Sequence, residues 1–184
     1  MNLGVNRNKK SVAIDVKSPE GVALLEELIR SADVLVENFR PGTLERLGFG
    51  PDRARAINER LIYCSISGYG ASGPSRDLPG HDMVIQGESG PMDVTGFPET
   101  GPTKVGVAIT DCLAVLYAVQ GILLAHISRA RTGKALCWIP PSPYSVCRPG
   151  LAQQPGKARD ASGTNTRRLR TSRIPRRTAK SSSQ

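Results

Sequence analysis

Val34-Leu35-Val36-Glu37-Asn38-Phe39-Arg40-Pro41-Gly42 is the stretch whose reading decides the fold. Its apolar start is long enough for a buried strand, and a polar loop with Pro-Gly punctuation follows at once. Upstream, Ser18-Pro19-Glu20 supplies an N-cap, a first-turn proline and a first-turn acid. Val22, Leu25, Leu28, Ile29 and Ala32 then mark one face of a helix. Further upstream, Ser11 to Val16 alternates and is β-branched, which predicts another strand. Downstream, Pro51-Asp52 opens a helix to about Arg60, and Leu61-Ile62-Tyr63-Cys64-Ser65-Ile66 predicts a third strand. Strand, helix, strand, helix, strand with short connections is the pattern of an α/β fold, an open parallel sheet with flanking helices.

Beyond these elements, Gly68 to Gly80 is a glycine-rich loop. Met83 to Thr95 reads ambiguously. Val105 to Ile109 predicts a short strand, and Thr110 a cap for a long helix from Asp111 to about Arg131. Leu113, Leu116, Tyr117, Gln120, Leu123, Leu124 and Ile127 keep helical spacing along it, with one polar break. From Ala135 the apolar periodicity stops and Pro, Ser, Thr and Arg accumulate. Such a stretch cannot bury enough apolar surface to offset its ordering entropy, so residues 135–184 are expected to be a disordered basic tail. The charge divides at the same place. Residues 1–134 carry 15 Lys+Arg and 15 Asp+Glu, whereas residues 135–184 carry 10 Lys+Arg and a single acid, Asp160. The whole net charge of +9 belongs to the tail.

Composition excludes a collagen, a coiled coil and a wholly disordered chain. No run approaches the roughly 20 uninterrupted apolar residues of a membrane helix, and no apolar run follows the basic N-terminus as in a signal peptide. The expectation is a cytoplasmic protein without a membrane partner. Cys64, Cys112, Cys137 and Cys147 show no metal-ligand spacing and read as reduced thiols, with no metal site.

Several residues carry chemistry. The Asn38-Phe39-Arg40 loop offers amide donors, an aromatic face and a fixed cation at the carboxyl end of a parallel strand, where open α/β sheets bind ligands. A plain strand-to-turn connection explains the same residues. The Gly68-Tyr69-Gly70-Ala71-Ser72-Gly73-Pro74 loop matches neither a phosphate-cradling loop nor the dinucleotide fingerprint and reads as surface. Asp111 falls in the first turn of the long helix, where dipole and free N–H groups favour the ionised carboxylate, a potential nucleophile or an ordinary helix-start acid. His81 could act as a general base or simply bond within its loop. His126 reads as surface or satisfied core. The basic tail could bind anions electrostatically but holds no nucleic-acid module, so no specific nucleic acid is expected.

The segments Asn8 to Lys17, Ala32 to Gly42 and Leu44-Glu45-Arg46-Leu47-Gly48 together resemble the family III CoA-transferases. Gly80-His81-Asp82, Gly96-Phe97, Pro102 to Asp111, Gly121-Ile122-Leu123 and Arg131-Thr132-Gly133-Lys134 continue the resemblance in order, so that it covers essentially residues 1–134. It implies the large-domain type of that family, a three-layer open parallel sheet with flanking helices. It also implies a CoA-transferase that moves CoA between an acyl-CoA donor and a carboxylic acid acceptor through an aspartyl-CoA thioester. Coenzyme A or acyl-CoA would be substrate, with no permanently bound cofactor. By the same resemblance Asp111 is the nucleophile, and Ile14, Lys17, Asn38, Phe39 and Arg46 contact CoA, with Arg40 adding a phosphate contact. The partners implied are an acyl-CoA, a small carboxylic acid and a second copy of the chain in an interlocked homodimer.

Two alternatives accompany this expectation. His81 and Asp111 stand where an α-methylacyl-CoA racemase has its opposed acid and base, although Thr103-Lys104-Val105-Gly106 is closer to the transferases. The break after Lys134, where Ala135-Leu136-Cys137-Trp138 departs from the family pattern, points to a truncated or frameshifted and inactive fragment.

Overall fold

The computed structural model describes residues 6–97, 99–134, 137, 138, 140, 142 and 143. The elements follow in order: α1 Pro19–Ser31, β1 Val34–Glu37, α2 Thr43–Arg46, α3 Pro51–Ile57, β2 Ile62–Ser65, α4 Asp82–Ser89, α5 Pro91–Thr95, α6 Ile109–Thr132 and β3 Cys137–Trp138. The three strands form one parallel sheet in the order β1-β2-β3. Val34 pairs with Ile62 and Leu35 with Tyr63, and β3 continues the ladder with Tyr63 opposite Cys137.

The register explains the layers. Leu35 and Tyr63 are paired, so they share a face, and there they join Ile29, Phe49, Ala54 and Leu61 in a core with Val22, Leu25, Leu44, Leu47 and Ile57 around it. Helices α1, α2 and α3 cover that side. Ile62 and Cys64 alternate to the other face and are fully buried, with α6 packed against β2 and β3. Helix, sheet, helix is the three-layer arrangement that the sequence resemblance implies.

Local signals set α1. The Ser18 hydroxyl accepts from the Gly21 N–H at 3.0 Å, with Pro19 and Glu20 in the first turn. The Asn58 amide closes the other end by donating to the carbonyls of Ile29 and Ala32.

Three expectations are corrected, and the long helix buries a face that its spacing did not identify. Ser11 to Val16 forms no strand: its alternation is intact, but among the described residues no strand pairs with it. Val105 to Ile109 forms no strand: 105–108 is a connection held by the buried Gln86, and Ile109 opens the long helix. Thr110 is not the cap of the long helix. The helix begins at Ile109, its N-cap is Ala108 with no capping side chain, and Thr110 is buried within the first turn. The large apolar residues of α6 are not its buried face. Thr110, Ala114, Ala118, Gly121, Ala125 and Arg129 are buried, while Leu116, Leu123, Leu124 and Ile127 are more than half exposed. Small side chains let the helix lie close to the sheet, and spacing alone did not say which stripe would face inward. Met83 to Thr95 resolves into α4 and α5.

Two residues of the segment expected not to fold, Cys137 and Trp138, form β3, because the parallel edge of β2 offers them a ladder. Residues 144–184 of that segment lie outside the described residues. By length and composition α6 is sufficient to cross a membrane, although polar residues interrupt its apolar run. It packs against β2, β3 and α4 through a narrow buried stripe.

Candidate active site at the carboxyl edge of the sheet

Arg129, buried near the end of α6, fixes which way the helix runs. Its guanidinium donates to the Arg60 carbonyl at 2.6 Å and to Asp33 Oδ1 at 2.8 Å, both just before strands β2 and β1. The C-terminal end of α6 therefore sits at the amino ends of the strands. Its N-terminal end, with Asp111, lies toward their carboxyl ends, where open parallel sheets bind ligands.

The loops at that edge form a cavity of about 260 Å³, lined among others by Asn38, Phe39, Arg40, Arg76, Gly80 and His81. The Asn38 amide donates to the Ile66 carbonyl at 2.8 Å, tying the loop after β1 to the loop after β2. Phe39 is about half exposed (54 %), an apolar face presented to solvent. The Gly68 and Gly80 backbones cross so closely that a Cβ at either would lie 2.6 Å from the other's Cα. Only glycine permits that crossing, and it holds His81 beside the Asn38 loop.

Asp111 is exposed at the helix start, and its carboxyl is raised above the ordinary range. Desolvation is the largest cause, the charge of Asp82 adds to it, and His81 opposes it. This corrects the expectation that the helix terminus favours the ionised form. Asp82 has already taken that terminus: its Oδ1 accepts from the Thr110 N–H at 2.9 Å and from the Thr110 hydroxyl at 2.6 Å. Burial opposes the ionised form of Asp82, but the bonds from Thr110, Gln86 and the Asp111 N–H outweigh it and hold the group below the usual carboxylate range. Asp82 is thus a capping acid supplied by α4 to α6.

The structure brings Asn38, Phe39, Arg40 and His81 around one cavity and puts His81 and Asp111 in electrostatic reach of each other. Ile14 and Lys17 lie in the segment before α1 and do not line that cavity. Nor does Arg46, which ends α2 and donates to the Thr43 hydroxyl at 3.0 Å. His126 is exposed, and its Nδ1 accepts from Arg129 at 2.9 Å. Cys64 and Cys112 form no disulfide. Sequence reasoning gave no role to Asp82, Gln86 or Arg76. The first two act through contacts 19 to 28 residues distant; the Gly80-His81-Asp82 motif signalled Asp82, and no motif signalled Gln86.

Comparison with known proteins agrees with this geometry. A Brucella suis CaiB/BaiF family protein superposes with a TM-score of 0.76 at 43% identity, covering 81% of this chain and 39% of that one. Succinate–glutarate CoA-transferase of Agrobacterium fabrum is 44% identical over 129 residues, 70% of this chain and 32% of the relative. Human succinyl-CoA:glutarate CoA-transferase is 46% identical over 135 residues, 73% of this chain and 31% of the relative. The chain spans about a third of the length of these curated relatives. The sequence pattern of CoA-transferase family III matches residues 1–176, and with the parallel sheet and its carboxyl-edge site in place, the chain belongs to that family.

Proposed function

We propose that this chain carries the nucleophile and part of the CoA site of a CoA-transferase, which moves CoA between an acyl-CoA donor and a small carboxylic acid. The observation that carries the reading is Asp111 toward the carboxyl edge of the sheet, desolvated, beside the Asp82 carboxylate and in electrostatic reach of His81, which lines a cavity with Asn38, Phe39 and Arg40. A carboxylate made more basic by its surroundings is a better nucleophile. Asp111 attacks the thioester carbonyl, the C–S bond breaks, and CoA leaves as the thiolate, giving a mixed anhydride. The thiolate attacks the aspartyl carbonyl of that anhydride and expels the donor's carboxylate, leaving an aspartyl-CoA thioester. The acceptor carboxylate repeats the sequence in reverse and carries CoA away, which returns Asp111. Arg40 is suited to a phosphate and Phe39 to the face of a purine. Ile14, Lys17 and Arg46 complete the CoA contacts in this reading, with no permanently bound cofactor. The names of the relatives point to small dicarboxylic acids as donor acid and acceptor. The exposed Leu116, Leu123 and Leu124 of α6 offer the surface for a homodimer in the cytoplasm.

Incubation with succinyl-CoA followed by hydroxylamine tests the reading. Asp111 should be recovered as the hydroxamate by peptide mass spectrometry, and the Asp111→Asn chain should give none. Saturable CoA binding with Asp111 unmodified would overturn the nucleophile role.

The neighbourhood of His81 and Asp111 favours a second reading, acid–base exchange at the α-carbon of an acyl-CoA. Deuterium incorporation from solvent, lost in His81→Ala, would mark it.

A further inference from the structure

Gln86 is completely buried in α4, and both its N–H donors and its carbonyl oxygen are engaged. Its Nε2 donates to Asp82 Oδ2 at 2.7 Å and to the Val107 carbonyl at 3.2 Å. Its Oε1 accepts from the Val105 N–H at 2.9 Å. One side chain therefore holds the segment that leads into α6 and one oxygen of the carboxylate that caps α6. The other oxygen of Asp82 takes both donors of Thr110, the residue before Asp111. Asp82 is fixed from two directions, and neither direction alone would set its rotamer.

We propose that Gln86 is a positioning residue for Asp111: by orienting Asp82 and the 105–107 backbone together, it sets the place and the electrostatic surroundings of the Asp111 carboxylate. This rests on the reading of Asp111 as nucleophile. A buried amide that merely filled space would be replaceable by an apolar residue of similar size with no consequence at Asp111. Here the same replacement removes a donor from Asp82 and two anchors from the approach to α6. The charged groups acting on Asp111 are Asp82 from α4 and His81 just before it, so the orientation of Asp82 has a direct effect on the reactive carboxylate.

The test is carbon-13 NMR titration of aspartate carboxyls in the full chain, comparing the parent with Gln86→Leu and Asp82→Asn. Loss of the Gln86 donor and of its two anchors on 105–107 frees the Asp82 carboxylate to turn away from the start of α6. That weakens its repulsion of Asp111, so the Asp111 midpoint should fall in Gln86→Leu and fall further in Asp82→Asn. In a turnover assay with succinyl-CoA, Gln86→Leu should lower kcat about a hundredfold with KM for the acyl-CoA little changed, the signature of a misplaced reacting group. An Asp111 midpoint unmoved in a folded Gln86→Leu chain would overturn the proposal. Should Gln86→Leu fail to fold, Gln86→Met carries the same test with a more adaptable side chain. Absence of the Asp111 hydroxamate in the parent would instead overturn the transferase reading, and the titration would still report on the positioning of Asp111.

Discussion

The two ends of α6 are both tied down by polar side chains, and the ties have opposite charge. At the N-terminal end the Asp82 carboxylate, brought by α4, accepts from the first turn. At the C-terminal end the helix's own Arg129 turns inward to the strand entrances. Each charge suits the helix dipole at its end. The difference lies in what remains. Arg129 spends its donors on the Arg60 carbonyl, Asp33 and His126, and leaves a structural joint. Asp82 satisfies the helix terminus from outside, so the adjacent Asp111 keeps its carboxyl free of that cap and is made more basic by desolvation first and by the same charge second. One end ties the helix to the strand entrances, and the other leaves a carboxylate exposed, the nucleophile in the proposed reading.

The comparison breaks most visibly at Arg129. Replacing it by Met removes the donor of the Arg60 carbonyl, leaves Asp33 to water, and should cost about 2 kcal/mol in urea denaturation. The Asp111 titration should not move, since that end carries no charge near it. Next comes Gly80→Ala. The added Cβ meets the Gly68 backbone, so the crossing must open, at a cost of about 2 kcal/mol, and CoA binding measured by calorimetry should weaken with it. The Asp82 cap then predicts a pH effect. Its folded-state proton affinity is depressed, so its stabilisation is present above the ordinary carboxylate range and is lost as pH falls through the folded value. Asp82→Asn should flatten that acid limb in thermal melts. It should also remove a source of acid resistance at Asp111, whose raised affinity works the other way and favours the fold only at low pH.

Helix α1 shows why one cap was legible in the sequence and the other was not. Ser18 caps its own helix three residues on, and Ser18-Pro19-Glu20 announces it. Ser18→Ala should cost about 1 kcal/mol with no change at Asp111. The cap of α6 comes from 28 residues away, and no local spacing encodes it, so Thr110, the residue with the right chemistry nearby, took the role in the sequence reading. The strand Ile62–Ser65 was legible because burial on both faces leaves a continuous apolar run, and Val34–Glu37 because its Val-Leu-Val start is β-branched and apolar although Val36 is exposed. Ser11 to Val16 carries a similar β-branched signal but has no ladder among the described residues, and a strand is a property of a pair. On α6 the apolar spacing was real, but the sheet selected the Ala and Gly stripe beside it, since close approach needs small side chains. The loop residues Asn38, Phe39, Arg40 and His81 were visible as chemistry, and the family motifs gave their order. Their convergence on one cavity came from the fold.

The smallest expected effect separates the two ends most cleanly. Helix α6 has 24 residues, so its ends are roughly 35 Å apart. Sites that far apart with no shared partner have additive effects to within about 0.5 kcal/mol. The double variant Asp82→Asn/Arg129→Met should therefore lose the sum of the two single losses in urea denaturation at neutral pH. A larger coupling would mean that α6 transmits the state of the Arg129 joint to the site as a rigid rod set against the sheet. The structural end would then be part of the machinery that places Asp111. Additivity would mean that the buried stripe of Ala114, Ala118 and Ala125 between the two ends fixes the helix by itself. The N-terminal cap could then be tuned for reactivity without a cost at the joint.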